Sequence, residues 1–569
     1  MASLSLWFLA DQARFRRERE ALVALANRTD WLNLGPCRFD AGCMVVNCDI
    51  DIGHQVYQAV LRFPETFPHS PPSIRPRDGQ GRWSIHQFGD GGDLCLEYRP
   101  DNWSPELMAW QMVESAYRLL QGENPAPNEH ARVASAHRTT EGQRLRTAFS
   151  RLPLTRALEE RLCQLLPGAG VRGSSVFYLT EDNVVRFITG LDLPDEDPWV
   201  DPDVPSMLGS ETWKARAYVR RLAAHETLPS TASYAEFSAG AEPLGWQATD
   251  QLLVVLKDDA IHAYQTFDDY LAPVSVIRAA PVASRLSDEH RLLADKRVAV
   301  LGCGSMGSKI ATMLARAGVK KFDLVDDDIL GADNLVRHDL DWREVGQHKV
   351  MALANRIRRV RPGADVRVRT QQLAGQESSR SAETILSRLA ECDLILDATA
   401  NPAAGNILSG FAQAAHIPLV WAEVFGGGVG GLMVRHRPGI EPPVPLMRRA
   451  IENWFADRGV APEPQVENYQ RTGDEAPMVA DDADVTTIAA NTARMAIDVL
   501  LGRDPSYFPW SVYVMGLSPC DLFAQPFETH PIALPEPPPA VAETALTMEE
   551  FGEEISFLQR VLAGPTELI

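Results

Sequence analysis

The sequence predicts a multidomain protein. An α+β domain (1–150) and a second α+β domain (151–285) precede an α/β domain (286–569) with a doubly wound, Rossmann-like sheet. Three observations predict this. The chain has 569 residues, where one globular domain takes roughly 100–200. Its first part runs helix, short alternating strands, proline-dense loop, cysteine loop, helix. From Lys296 the texture becomes strand, glycine turn, helix, strand, the alternation that builds a mostly parallel sheet.

Composition narrows the function classes. Hydrophobic residues make up 45% of the chain, and the net charge is −21. Several cores can be buried, and nucleic acid or an anionic membrane is not expected as a partner. The eight cysteines, at 37, 43, 48, 95, 163, 303, 392 and 520, form no Cys-x-x-Cys pair. Neither a structural zinc nor a disulfide framework is expected, and free thiols point to a reducing, cytoplasmic setting. "MASLSLWFLADQARFRRERE" has no basic region before its short apolar run, so it reads as an amphipathic helix rather than a signal peptide. No apolar run reaches the ~18 residues that suggest a membrane span.

Taken in order, Leu4 to Asn27 shows a helical pattern with one apolar face. "CMVVNCDIDI" and "HQVYQAVLRF" alternate as antiparallel strands. "FPETFPHSPPSIRP" holds too many prolines for a central strand. "PELMAWQMVESAYRLL" reads as a helix capped by Ser104, with Pro105 at its first position. In the middle region "SSVFYLT", "NVVRFITGL" and "QLLVVLKDDAIHAYQTF" are strand-like, and "DLPDEDPWVDPDVP" is a solvated loop. Beyond Lys296, "CDLILDATA" and "IPLVWAEVFGGGVGGLMV" supply further strands. Residues 436–480 read as a long excursion. "DVTTIAANTARMAIDVLLG" is helical, and "WSVYVMGLSPCDLF" is a strand ending in a cysteine loop. "HPIALPEPPPAVAE" is a linker, and "TMEEFGEEISFLQRVLAG" a closing amphipathic helix.

"GCGSMG", 302–307, has the Gly-x-Gly-x-x-Gly form between a strand and a helix, which places phosphates on a helix N-terminus. Asp326 lies 19 positions after Gly307, so a NAD(P)-dependent oxidoreductase fits this motif too. The residues C-terminal to the glycine loop discriminate. "LVDDDILGADNLVRHDL" and "REVGQHKV" bring Asp326, Asp328, Asn334, Arg337 and Lys349 after Gly302, Gly304 and Gly307. This run resembles the ThiF/MoeB-type adenylating enzymes, the activating enzymes of ubiquitin-like systems. The resemblance implies ATP and Mg²⁺ as cofactors, a homodimer, and adenylation of a protein C-terminus. Arg337 and Lys349 suit the charge that builds on phosphoryl oxygens, and strand-end carboxylates suit a ribose or magnesium. The family's Asp-x-x-Asp-Asn appears as "DATAN": Asp397 and Asn401 remain, and Ala400 stands where the second Asp belongs. Asp397 is the remaining magnesium candidate.

"FPETFPHSPPSI", then "GDLCLEYRPDNWSPELMAWQMVESAYRLL", resembles the ubiquitin-conjugating fold, with Cys95 on that family's thioester cysteine. A thiolate is a strong nucleophile and a good leaving group, as an acyl carrier must be. The family's His-Pro-Asn appears as "HQF", His86 to Phe88, one residue closer to the cysteine. His86 and Asp101 are candidates for donating a hydrogen bond and for handling an incoming amine; Trp103 reads as packing. For a thioester on the activating domain, Cys303 would crowd the phosphate loop and Cys392 begins an apolar strand. Cys520 is left as the candidate.

This order of domains resembles the fusion enzymes of bacterial CBASS anti-phage operons. That resemblance implies conjugation of the C-terminus of a cGAS/DncV-like nucleotidyltransferase (CD-NTase) to a target lysine. A bacterial ubiquitin-like protein is the alternative modifier, and a non-catalytic scaffold is the alternative to an enzyme. The middle domain would tether the conjugating domain, and the 436–480 excursion would cross the active site.

Overall fold

The computed structural model describes residues 6–125, 131, 133–135, 140–194, 196–206, 208, 212–279, 286–376, 378–460, 480–537 and 548–562. The chain divides into two compact units, Met1–Thr147 and Ala148–Ile569.

In the first unit, the expected single N-terminal helix is two: α1, Trp7–Ala10, and α2, Gln12–Arg28. Asp11 breaks them, because its carboxylate caps the second helix by accepting from the Arg14 N–H at 2.8 Å. The strands β1 (Leu32–Asp40), β2 (Cys43–Asp51), β3 (Val56–Phe63) and β4 (Ser73–Pro76) form an antiparallel meander in that order. The proline-dense stretch contributes only β4, at the sheet edge, where a missing N–H is tolerated. One face of the sheet, through Cys48, Ile50, Leu61 and Ile74, packs on Leu22, Leu25, Met112, Ala116 and Leu120 of the helices.

The helix expected from Pro105 begins later: α3 is Ala109–Glu123. Residues 105–107 are held as a turn by Arg14, whose guanidinium donates to the carbonyls of Pro105 and Leu107. Glu18 accepts from the Ala109 N–H at 2.9 Å, and the Gln111 amide accepts from the Met108 N–H at 2.8 Å. Tertiary capping by a buried Arg14–Glu18 pair thus overrides the local Ser-Pro signal. A short helix, α4 (Glu141–Arg144), follows.

Among its described residues the second unit contains two sheets. Its first comprises β5 (Ser150–Pro153), β6 (Gly170–Leu179), β7 (Val184–Asp192), β8 (Trp199–Val200), β9 (Trp213–Arg221), β10 (Leu252–Lys257), β11 (Ala260–Phe267) and β12 (Tyr270–Ile277). The order is β5-β12-β11-β10-β9-β6-β7-β8, and β5 pairs with β7 as well as β12, so seven strands close into a barrel. Helix α5 (Arg156–Cys163) packs its Leu158 and Leu162 with one set of strand residues, Leu252 and Val254 among them. Helix α6 (Tyr234–Ala241) packs Phe237 with the alternate set, including Leu253 and Val255. With both faces covered, "LLVVL" is apolar throughout.

The last sheet takes β13 (Arg297–Leu301), β14 (Lys321–Val325), β15 (Asp365–Arg369), β16 (Leu394–Asp397), β17 (Leu419–Phe425), β18 (Gly430–His436), β19 (Val512–Gly516) and β20 (Thr529–Pro531). Its order is β15-β14-β13-β16-β17-β18-β19-β20. The first five in that order are parallel and the rest antiparallel. Helices α7 (Ser305–Ala317), α8 (Lys349–Val360) and α12 (Asp482–Leu501) cover one face. Helices α9 (Ser379–Leu389), α10 (Pro402–Ala415) and α11 (Val444–Ala456) cover the other. The strand order reverses at β13, with β14 on one side and β16 on the other, the crevice where open α/β sheets bind ligands.

Two expectations change here. The 436–480 excursion contains α11, and its residues 461–479 lie outside the described ones. The linker from His530 begins inside β20, which pairs with β19, and the residue after it, Ile532, is buried; residues 538–547 lie outside the described ones. The closing helix, α13, is Met548–Leu562. No described helix is long and apolar enough to cross a membrane.

Glu18→Ala leaves Arg14 buried without its carboxylate and the Ala109 N–H without its acceptor. A loss of about 3 kcal/mol is expected in the N-terminal unit. It is read as a lower urea midpoint for the transition followed by Trp fluorescence.

Candidate active site

At the end of β13 the chain turns sharply into α7. Gly302 sits at φ +82°, which L-residues avoid, and a Cβ there would strike the Ala398 carbonyl. A Cβ at Gly307 would strike the Gly302 carbonyl and come within 3.3 Å of the Ala398 Cβ. Gly304, which precedes the first turn of α7, has nothing within 4 Å of its would-be Cβ. Two glycines thus permit close packing, and the third leaves open space at a helix N-terminus, where backbone N–H groups attract phosphate.

The acidic tip after β14 is fastened to this loop. Asp326 accepts from the Cys303 N–H at 2.6 Å and the Asp328 N–H at 2.8 Å. Burial pushes its carboxyl above the usual range despite those bonds. Lys349, at the start of α8 and nearly buried, pairs with the exposed carboxylate of Asp328 at 2.7 Å. Asn334 closes its own turn by accepting from Gly331, and the half-buried Arg337 follows it. Two further residues join these, with no signal in the spacing to announce them. The buried His338 bonds the Cys303 carbonyl at 2.8 Å, and burial lowers its pKa. Lys309 on α7 pairs with Asp482 of α12 at 2.6 Å. The structure therefore brings Gly302, Gly304, Gly307, Asp326, Asp328 and Lys349 to one crevice.

Asp397 ends β16 beside that loop. Its Oδ1 accepts from the Thr399 N–H and hydroxyl, at 3.0 and 2.6 Å. Its Oδ2 lies 3.3 Å from where a Gly405 Cβ would stand, and the Arg448 guanidinium lies closer still to that same point. Asp397 thus fits a magnesium ligand poorly: one oxygen is spent on Thr399, the Arg448 charge is nearby, and Ala400 brings no second carboxylate. Ala400 itself adopts φ +51°, a conformation that suits Gly, Asn or Asp. Glu423, near the end of β17, joins the cluster. Burial raises its pKa against the pull of Arg448, and the Asp397 charge raises it further. Nothing in the sequence signalled this pair of carboxyls, Asp397 buried and Glu423 half-buried, near Arg448.

The three candidate thiols of this sheet differ. Cys303 is fully buried, with its pKa raised, and Cys392 is buried, with its pKa pushed up to about 12. Both are inert packing thiols. Cys520 is exposed. Its loop is closed by reciprocal backbone bonds with Phe523, at 2.9 and 3.1 Å, and the Leu522 N–H points at its sulfur from 3.4 Å. The buried ring of Phe523 anchors the loop where Gly516 leaves room for it.

In the N-terminal unit, Cys95 is half-buried. Its N–H donates to the His86 carbonyl at 2.7 Å, so the two are neighbours across a narrow hairpin. The His86 imidazole bonds the Val133 carbonyl at 2.8 Å, with Glu123 at 3.7 Å. Gln87 is buried, donates to the carbonyls of Gly81 and Gly92, and accepts from the Trp83 N–H at 2.7 Å. Phe88 is exposed. Asp101 lies on the exposed rim, 3.8 Å from Arg99 Nε. Burial raises the Cys95 pKa, and Arg99 pulls it back. Trp103 donates from its indole to the Pro68 carbonyl at 2.7 Å and packs on Phe67. Sequence reasoning missed Gln87, whose side chain is held wholly by the backbone of this hairpin and its neighbours.

Two outcomes are expected from this geometry. Ala400→Gly relieves the left-handed strain and raises stability by about 0.5–1 kcal/mol after the added chain entropy, seen as a higher Tm of the second unit. Glu423→Gln removes a carboxyl whose folded pKa lies above its unfolded one. Wild-type stability falls as pH rises from the unfolded value through the folded one. The Tm gain of Glu423→Gln is therefore absent near pH 4 and opens toward pH 8, in nucleotide-free buffer with chelator.

Residues 280–508 match the ThiF family model. The ATP-dependent ubiquitin transferase-like protein Cap2 of Pseudomonas aeruginosa is 32% identical over 28% of this chain and 29% of its own length. Uncharacterized protein y4qC of Sinorhizobium fredii is 29% identical over 37% of this chain and 38% of its own. The sulfur carrier protein ThiS adenylyltransferase of Escherichia coli is 31% identical over 26% of this chain and 57% of its own. The chain thus spans under two fifths of the length of the first two relatives and somewhat over half of the third. Residues 280–508 thus match the ThiF family, and part of the chain is similar to the Cap2 ubiquitin transferase-like proteins.

Proposed function

We propose that this protein is a two-cysteine conjugating enzyme that adenylates the C-terminus of a protein partner and passes it to a lysine. The observation that carries this reading is the crevice at the end of β13. An open glycine, a helix N-terminus and a nearly buried lysine stand together there, within a ThiF-type sheet.

The partner's carboxylate attacks the α-phosphorus of ATP, and pyrophosphate leaves. The α7 N-terminus and Lys349 face the charge that gathers on the phosphoryl oxygens; Arg337 joins them, and Asp326 with Asp328 and Asn334 shapes the ribose side. ATP enters as its magnesium complex, with no magnesium ligand assigned to this chain. The Cys520 thiolate then attacks the acyl carbon and AMP leaves. Transfer to the Cys95 thiolate regenerates Cys520. A lysine amine attacks the Cys95 thioester, its proton passing to Asp101 on the rim, and an amide forms. His86 is assigned to holding the hairpin that carries Cys95.

The likeness to Cap2 supports a modifier protein of the CBASS kind, the C-terminus of a CD-NTase. A homodimer follows the habit of the adenylating family. The first unit serves as the ubiquitin-conjugating-like domain, and the closed barrel as the linker between the two cysteine domains.

ATP–pyrophosphate exchange tests the first step. With the candidate partner protein present, exchange is expected in wild type, and Lys349→Ala lowers it about 100-fold. Exchange that ignores the partner's C-terminal carboxylate, or survives Lys349→Ala unchanged, overturns the reading.

A further inference from the structure

The closed barrel of the second unit has two unlike ends. Its interior is lined by Leu152, Ile188, Ala217, Leu252, Ala263 and Val274, each from a different strand. Helix α5 plugs one end. Its Leu158 and Leu162 join that cluster, and Arg221, ending β9, donates to the Cys163 carbonyl at 2.9 Å. The other end is the mouth, where β6 turns into β7 and β11 turns into β12. Leu179, Trp213, Phe267 and Tyr270 stand there, each more than half exposed.

Just inside the mouth sits a buried cation. Arg186 of β7 is 8% exposed, and it lies two residues before Ile188, on the interior face. It pairs across the sheet with Phe177, which pairs in turn with Trp213. The Phe177 ring centroid lies 4.5 Å from the guanidinium carbon, and Trp213 stacks on Phe177 with centroids 5.8 Å apart. Arg186 Nε and Nη2 donate to Gln265 Oε1 at 3.1 and 2.9 Å, and the Ser150 hydroxyl donates to the same oxygen at 2.9 Å. Arg186 Nη1 is buried and has no hydrogen-bond partner. Among the described residues no carboxylate pairs with this guanidinium, and burial pulls its pKa down to about 10.

A buried charge without a counter-ion costs stability, and one amide oxygen does not neutralise it. The layer beneath Arg186 is apolar, so a carboxylate reaches Nη1 only through the mouth. The exposed side chains around the mouth do not enclose a volume, whereas a small-molecule site buries most of its ligand. Aromatic side chains with an arginine among them are the usual anchors of protein interfaces.

We propose that the mouth of the barrel docks a segment of a partner protein, which places one Asp or Glu side chain on Arg186 while its apolar neighbours cover Leu179, Trp213, Phe267 and Tyr270. The carboxylate displaces the Phe177 ring and exchanges a cation–π contact for a charge-assisted hydrogen bond. The site draws on no residue of the proposed acyl relay, so it stands or falls separately from the conjugating reading.

The test selects random dodecapeptides on the full chain, as wild type and as Arg186→Met. Wild type is expected to enrich peptides that carry Asp or Glu next to Phe, Leu or Trp, and Arg186→Met is not. A synthetic copy of an enriched peptide is then titrated by fluorescence anisotropy. Changing its acid to the amide is expected to weaken binding about thirtyfold or more. Trp213→Ser, an exposed change that leaves the barrel interior alone, is expected to weaken it severalfold. Arg186→Met is expected to melt no lower than wild type, since it removes an uncompensated buried charge. If Arg186→Met melts well below wild type and Trp213→Ser binds the peptide unchanged, the cation is structural and the proposal falls. No enrichment, enriched peptides that lack an acid, or peptides that bind Arg186→Met as tightly as wild type overturn it too. Tighter binding of free 3-phenylpropionate than of any selected peptide, or self-association that Trp213→Ser abolishes, overturns it in favour of a small acid or a second copy.

Discussion

The ThiF-type sheet depends on one close approach: the Gly302 backbone against the Ala398 carbonyl, with Gly307 packed on Gly302. Only a residue without a Cβ, at positive φ, lets β13 turn into α7 this tightly beside β16. That turn points the α7 N-terminus into the crevice where the strand order reverses. It also puts the Cys303 N–H where Asp326 can accept from it, which ties the tip of β14 to the loop. Asp328 and Lys349 are placed by that tie, since the Lys349 N–H donates to the Asp328 carbonyl at 2.9 Å and their side chains pair. Any side chain at Gly302 would push β16 away and dissolve the whole arrangement.

A second constraint runs through the thiols. The protein separates inert from exposed sulfur by burial alone. Cys303 and Cys392 are sealed in apolar layers, where the thiolate is disfavoured, and Cys520 stands on a loop that Phe523 anchors from below. Cys95 is intermediate, half-buried on its hairpin.

Much of this was legible in the sequence because the responsible rules are local. The Gly-x-Gly-x-x-Gly spacing requires a strand before it and a helix after it, and both are present. The acidic tip and Lys349 lie within one stretch of chain, so residues joined in the crevice were already neighbours in the sequence. What escaped depended on distant partners. The start of α3 is set by Arg14 and Glu18 of α2, which no Ser-Pro rule can see. The closing of the barrel depends on β5 meeting β7 as well as β12, and pairing of that kind leaves no mark on either strand alone. Arg448 comes to Asp397 and Glu423 only through tertiary packing of α11.

The central claim is a relay of one acyl group across two cysteines, and intact mass recorded without reductant tests it most directly. The full chain is incubated with ATP·Mg and the candidate modifier protein, as wild type, Cys520→Ala and Cys95→Ala. The account predicts a thiol-labile adduct of the modifier's mass in wild type. It predicts no adduct in Cys520→Ala, and in Cys95→Ala an adduct that maps to Cys520 alone. An adduct in Cys520→Ala that still maps to Cys95, or no thiol-labile adduct in any of the three, would contradict it.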